Sequence, residues 1–389
     1  MSDDKTPIIK KRRLLSLILL LVAFALLVFT VIFLIFGIGS CSSPLAGLFS
    51  SRAPIITVNE FNFDVGRNRM FAHSNGSVAA VGTLGLQVLD TDGRETLRDS
   101  FRMASPAIAG SGGRFIAFDI GGSAVRVFNA TQVSSSIDTD GTIVSASLNP
   151  NGWFCVVTQE GGGLRGAIAV YNSLGLETYR VNLGSGFALS AELSSDNSSL
   201  AILNYTEAGS RITFYDTEKS EPDHVFDLSG ELILDIISLS NKNTLAVTTD
   251  SIILVDNSGE GKSIYTFSDR RLGSFAYADD FLALHLYDHG IGFRGRLITL
   301  LSDGTVLGEI STDREVVSMS VVDKTIAVLK SDGLLFYDET LTEFPTSAES
   351  ISAAGANRVV AISENYALAT SDNSAVILTR DYYSHLEQN

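Results

Sequence analysis

The chain has 389 residues, 45% hydrophobic and 19% charged, a composition that excludes a disordered or low-complexity protein. Its formal net charge of −16 excludes nucleic acid and anionic headgroups as partners of the bulk surface. Setting residues 1–52 aside leaves roughly 330 residues, which is two ordinary domains or one large domain built from repeats.

The first segment, 1–13, is a basic stub. Lys5, Lys10, Lys11, Arg12 and Arg13 face only Asp3 and Asp4. Residues 14–38 follow without a charge, as "LLSLILLLVAFALLVFTVIFLIFGI". As a helix this run would extend about 37 Å, enough to cross a hydrocarbon core of about 30 Å with some tilt. A buried core helix would show a polar face, and this run has none. "KKRR" stands before the run and the next cation after it is Arg52, so the expected topology is N-terminus cytoplasmic and bulk of the chain outside. The rival is a cleaved leader, because "IGSC" at 38–41 resembles a lipobox ending in Cys41. The length of the run favours a retained helix, since leader cores span about 7–15 residues. Either way the expectation is a cell-membrane tether, with residues 39–54 as linker.

Residues 55–381 carry a repeated phrase. A short strand with small residues leads through a turn to a very apolar strand. A third strand ends in Asp or Asn, and a polar fourth strand closes the phrase. "SVAAVGTLGLQVLDTDGRETLRDSF" (77–101) and "ISLSNKNTLAVTTDSIILVDNSGEGKSIYTF" (237–267) are two of the clearest examples. The apolar second strands are "VAAVG", "FIAF", "WFCVV", "LAILN", "LAVTT", "FLALHL", "TIAVL" and "YALAT". Their spacing, about 41 residues, is that of four-stranded propeller blades. The predicted fold is therefore all-β, a single propeller of eight blades, with seven as the alternative count. The last phrase, 358–380, supplies three strands, and "ITVNEFNFDV" (56–65) supplies the missing one, removing an open edge. Residues 382–389 form a tail.

"LSSDNSSLAILN" and "SLNPNGWFCVVT" resemble the turns of TolB-like, YVTN-type and WD40-like bacterial propellers, and "ITFYDT" resembles their third strand. The Trp-Asp and Gly-His pairs of true WD40 repeats are absent. The layout of basic stub, one span and propeller ectodomain resembles a domain-of-unknown-function family of Gram-positive bacterial single-pass membrane proteins. That resemblance implies a fold and a topology but no chemistry.

The polar features read as structural. Asp90, Asn129, Asn172, Asp216, Asp256 and Asp338 recur after third strands, where a turn needs an Asx side chain to bond its own backbone. "DTDGRE" (90–95) and "DTDGT" (138–142) lack the spaced oxygens and distal Glu of a calcium loop. "DDFLALHLYDHG" (279–290) gathers Asp279, Asp280, His285, Asp288 and His289. His285 and His289 would stand about 13 Å apart on a strand, too far for one ion, and a solvated loop at a blade edge is expected there. Cys155 in "GWFCVVT" reads as a small buried thiol. No nucleophile elbow is present. Trp153 is the only tryptophan, against the repeated tryptophans that lock quinoprotein blades. "GSGG" (110–113) and "EGGGLRG" (160–166) precede no helix that would make them phosphate loops.

The expected function is non-enzymatic: a binding or scaffold protein of the bacterial cell envelope, with protein partners and no cofactor, metal or catalytic residue. Loops 157–167, 204–211 and 287–296 are the longer ones, and Arg165, Tyr205, Tyr287 and Phe293 in them are candidate partner contacts. The alternative is an envelope enzyme acting on glycan or peptide with acidic residues at the channel mouth, which predicts clustered carboxylates of raised pKa.

Overall fold

The computed structural model describes residues 56–379 apart from 62, 161–163, 289–291, 345–354 and 372–374, with the backbone alone for 56–61. The basic stub, the apolar run 14–38, Cys41, His289 and the tail lie outside the described residues. All described regular elements are strands, numbered β1 to β31 in chain order.

The strands form eight sheets. The first blade is β2 (Met70–Ser74), β3 (Ser77–Gly82), β4 (Gly85–Leu89) and β5 (Glu95–Asp99). The second runs from β6 (Pro106–Ser111) through β7 (Arg114–Asp119) and β8 (Ala124–Asn129) to β9 (Val133–Asp138). The third comprises β10 (Thr142–Leu148), β11 (Phe154–Gln159), β12 (Gly166–Tyr171) and β13 (Glu177–Leu183). The fourth is β14 (Phe187–Leu193), β15 (Ser199–Thr206), β16 (Gly209–Asp216) and β17 (Pro222–Leu228). In the fifth, β18 (Ile233–Ser238), β19 (Thr244–Thr248), β20 (Ser251–Val255) and β21 (Gly261–Thr266) follow. The sixth holds β22 (Arg271–Ala278), β23 (Phe281–Tyr287), β24 (Gly295–Leu301) and β25 (Val306–Thr312). Within each blade the strands pair antiparallel in sequence order.

The seventh blade departs from the repeat. Among the described residues it has three strands, β26 (Val316–Val322), β27 (Thr325–Lys330) and β28 (Gly333–Tyr337), plus one bridge between Tyr337 and Glu343. The eighth blade is ordered β1 (Ile56–Phe61), β31 (Ala375–Thr379), β30 (Tyr366–Thr370), β29 (Arg358–Ala361). The N-terminal strand supplies its outer member, as the sequence predicts, and Ile56 stands opposite Thr379.

Every predicted second strand is the buried second strand of a blade; β3, β7, β11, β15, β19, β23, β27 and β30 are apolar on both faces because a neighbouring blade covers each side. The core is correspondingly divided. Among the described residues eight apolar clusters occupy the eight gaps between adjacent blades. The gap between the eighth and first blades is filled by Phe63, Val78, Val360 and Ile377, among others, with the Phe63 and Phe71 rings edge to face at 5.2 Å.

The Asx turns are as expected. Oδ1 of Asp90 accepts from the Asp92 and Arg94 amides, that of Asn172 from Leu174 and Leu176, and that of Asp256 from Ser258 and Glu260. Asn129, Asp216 and Asp338 do the same. These oxygens are committed to the turn.

Candidate functional site

Adjacent strands of a blade run in opposite directions. Connections between second and third strands, and from one blade to the next, therefore emerge on one face of the disk, here called upper. First-to-second and third-to-fourth connections emerge on the lower face. Exposed large apolar side chains divide unequally between the two. Leu84, Ile120, Leu164, Phe187, Leu232 and Phe293 all belong to upper connections or the strand ends beside them. Leu174, Leu176, Tyr277 and Val306 belong to lower connections or the strand ends beside them.

Arg165, Tyr205, Tyr287 and Phe293 all lie at upper connections, but the structure gives them different roles. Arg165 is exposed and its guanidinium lies 5.9 Å from the centre of the Phe187 ring, bridging the third and fourth blades. Phe293 is half exposed to solvent. Tyr205 instead donates its hydroxyl to the Ile233 carbonyl at 2.7 Å, a strut between the fourth and fifth blades. Tyr287 is held edge-on to His285 at 4.5 Å, with Arg271 over its ring at 5.6 Å.

The strand β23 corrects one expectation. His285 is fully buried rather than on a solvated edge, because apolar neighbours carry the strand through the blade interior. Its Nε2 stands 3.3 Å from Thr312 Oγ1, its Nδ1 has no partner, and burial lowers its pKa to about 4. Asp288 pairs with Arg270 at 3.0 Å. Among the described residues no group of three or more His, Cys, Asp or Glu is placed to hold a metal ion.

The first strand of each blade is innermost, and several carry serines that tie one blade to the next. The first strands of the third to seventh blades each have a bulge at the same position, so their registers can be matched. Ser145 and Ser147 of β10 donate to the carbonyls of Leu189 and Ala191, both at 2.7 Å. Ser318 and Ser320 of β26 accept from the amides of Val359 and Ala361 at 3.1 and 3.0 Å. In the fourth and fifth blades this pattern breaks. Glu192 occupies the place of Ser147 and Ser320, and Asp235 the place of Ser145 and Ser318. Ser190 and Ser274, in that same place in the fourth and sixth blades, have buried hydroxyls without a partner.

The two acids are electrically unusual. Burial pushes Asp235 up to about 6, opposed by the Ile236 amide that donates to it. Burial also holds Glu192 well above the ordinary range; the charge of Asp235 adds to this and the Ser147 hydroxyl opposes it. Tyr277 keeps 44% of its surface exposed, while dense surrounding protein and then the charges of Glu192 and Asp235 push its phenol up. Cys155 lies behind Glu192. Its thiol, raised to about 12 by burial and then by that carboxylate, donates to the Ala191 carbonyl at 3.2 Å. Neither acid stood out in the sequence, since the signal is a departure from a serine pattern that appears only after the bulges are aligned.

A second feature lies on the upper face at the closure. Gly66–Phe71, Asn357, Arg358, Thr370 and Ser371 surround a recess of about 690 Å³ between the first and eighth blades.

Comparison with known proteins agrees on the fold. The C-terminal WD40 domain of Sif2 superposes with a TM-score of 0.59 at 13% identity, covering 84% of this chain and 98% of that one. BamB from Moraxella catarrhalis gives 0.51 at 12% identity over 84% and 99%. The WD40 domain of SCAP from fission yeast gives 0.54 at 13% over 85% and 99%. At such identities the likeness is one of fold. No curated protein matches the sequence. A model of a family of unknown function, DUF5711, matches residues 57–377.

Proposed function

The chain belongs to the family of unknown function DUF5711, and from the geometry of its upper face we propose that it is a non-enzymatic binding or scaffold protein with protein partners. The observation that carries this reading is the gathering of Leu84, Ile120, Leu164, Phe187, Leu232 and Phe293 on one face of a rigid disk. Exposed apolar groups with a polar surround mark interaction surfaces, and the Arg165–Phe187 pair is of the kind that anchors them.

We place this face outside the cytoplasmic membrane of a bacterial envelope, with 14–38 as a retained single span and Cys41 a free thiol at its exit. The uncharged run and the "KKRR" that precedes it support that reading. Intact mass of the mature chain tests it, because a chain beginning at a lipidated Cys41 would contradict it. The binding role is tested by photo-crosslinkers at Phe187 and Leu232, with Leu174 on the lower face as control. Crosslinks to a discrete envelope protein from the upper positions alone are expected. No adduct above background at either upper position would sink the proposal.

A second reading, an envelope enzyme acting on glycan or peptide, draws on Glu192 and Asp235. Two carboxyls whose ionisation is displaced towards neutrality are suited to general acid catalysis. It predicts a hydrolytic or lytic activity abolished by both Glu192→Gln and Asp235→Asn.

A further inference from the structure

From the recess at the blade closure we infer a binding site for a small multivalent oxyanion, bearing phosphate or carboxylate groups. The described residues lining it include three arginines, Arg67, Arg69 and Arg358, and no carboxylate. That composition is the reverse of the whole chain, which has 44 acidic residues against 28 Lys and Arg.

The arginines come from both sides of the seam. Arg67 and Arg69 precede β2 of the first blade, and Arg358 opens β29 of the eighth. Arg358 is half-buried, and the one hydrogen-bond acceptor its guanidinium has among the described residues is the Met70 sulfur, at 3.4 Å. A thioether is a weak acceptor for a group with five donors. Burial therefore disfavours this cation without a compensating anion, and its pKa is lowered accordingly. Arg67 is exposed and no ion pair to a described residue holds its side chain. Arg69 lines the same wall and is oriented by its Nε donating to the Gly66 carbonyl at 2.9 Å.

The wall is built rather than incidental. The Arg67 amide donates to Thr83 Oγ1 at 3.0 Å, while the Thr83 amide donates to the Arg67 carbonyl at 3.0 Å. Asn68 reaches the Ala104 carbonyl at 3.4 Å. These bonds fix the loop that presents the guanidiniums. Planar guanidinium forks match the paired oxygens of phosphate and carboxylate, and such bonds are the stronger charge-assisted kind. Neutral Asn357, Thr370 and Ser371 and the apolar Met70 and Phe71 complete the described lining. A volume of about 690 Å³ is within the range of small-molecule sites and exceeds what one inorganic phosphate fills. The ligand is therefore read as an organic body with more than one anionic group.

Isothermal titration of the full chain in neutral detergent tests this, with inorganic pyrophosphate and citrate as separate probes. Tighter pyrophosphate identifies a phosphorylated ligand, and tighter citrate a polycarboxylate. Binding of the better probe is expected to weaken at least tenfold in Arg358→Gln and in Arg67→Gln. Arg211→Gln, which removes a surface ion pair with Asp227 elsewhere, should leave it unchanged. Arg67 is exposed, so its variant reports on binding even if Arg358→Gln loosens the seam. Binding of neither probe, or binding that Arg67→Gln and Arg211→Gln alter equally, would overturn the inference.

Discussion

His73 of the first blade donates its Nε2–H to the Val321 carbonyl of the seventh at 3.2 Å, passing the inner strand of the eighth blade. The closure is thus strapped on the inner side as well as laced by β1 on the outer side. Burial keeps the ring neutral against the pull of the carbonyl and of Asp323. Replacing His73 with Ala should lower folding stability by about 1–2 kcal/mol, the cost of leaving a buried acceptor unpaired. Gln, which keeps a donor, should recover part of the loss. Urea midpoints followed by Trp153 fluorescence would show this, and equal stability of the Ala variant and the parent would remove the strap from the account.

His285 should make the propeller acid-sensitive. Its folded pKa of about 4 lies below the ordinary 6.5, so the unfolded chain binds a proton first as pH falls. The neutral ring's contribution is complete above pH 6.5 and declines as pH falls through 6.5 towards 4, by up to about 3 kcal/mol. In His285→Asn the stability difference from the parent should shrink on acidification across that window. A difference that stays constant from pH 7.5 to 4.5 would contradict the burial argument.

Asp235 acts with the opposite sign. Its folded pKa is raised to about 6, so the folded state holds a proton that the unfolded chain loses near 3.8. Stability from this group is present at low pH and lost as pH rises through 3.8 to 6. Asp235→Asn keeps the oxygen that accepts from Ile236 and removes the charge. We expect it to be about 1–2 kcal/mol more stable than the parent at pH 8 and equal to it near pH 3.5. Lower stability at pH 8 would mean that the ionised carboxylate has a partner that stabilises it.

Deleting β1 should expose β31 as an edge. The ladder from Ile56–Thr379 to Phe61–Ala375 would be lost, with about 3 kcal/mol or more of hydrogen bonding and packing. Removal of residues 1–61 should therefore lower the melting temperature and promote aggregation well beyond removal of 1–52. Similar melting and light scattering for the two truncations would show that β1 does not close the ring.

Cys155 should be inert until the fold opens. In the full chain carrying Cys41→Ser, iodoacetamide at pH 8 should label nothing under native conditions and one thiol in denaturant. The raised thiol pKa and full burial both require this. Native labelling at a rate near that of a free thiol would mean the gap between the third and fourth blades is open.

The architecture was legible because it rests on local chemistry repeated many times. Apolar second strands and Asx turns such as Asp90 and Asp256 each report on a few consecutive residues. The chemistry was hidden for two physical reasons. Glu192 and Asp235 look like ordinary strand acids until the bulges align them with the serines of other blades. Arg67 and Arg358 lie at opposite ends of the domain's sequence and become neighbours only through circular closure. Loop length pointed to Tyr205 and Tyr287, yet both side chains are engaged within the protein, one on a carbonyl and the other between His285 and Arg271.

Circular closure also sets a timetable. β1 is among the first segments of the domain to leave the ribosome, and its partner β31 follows roughly 320 residues later. At about 5–20 residues per second, that is a wait of roughly 15 to 65 seconds. Throughout it, β1 has no β31 to pair with and the first blade has no eighth blade against its flank. The ring becomes a ring only when the five residues of β31 arrive, and on them depends whether all the earlier blades were made in vain.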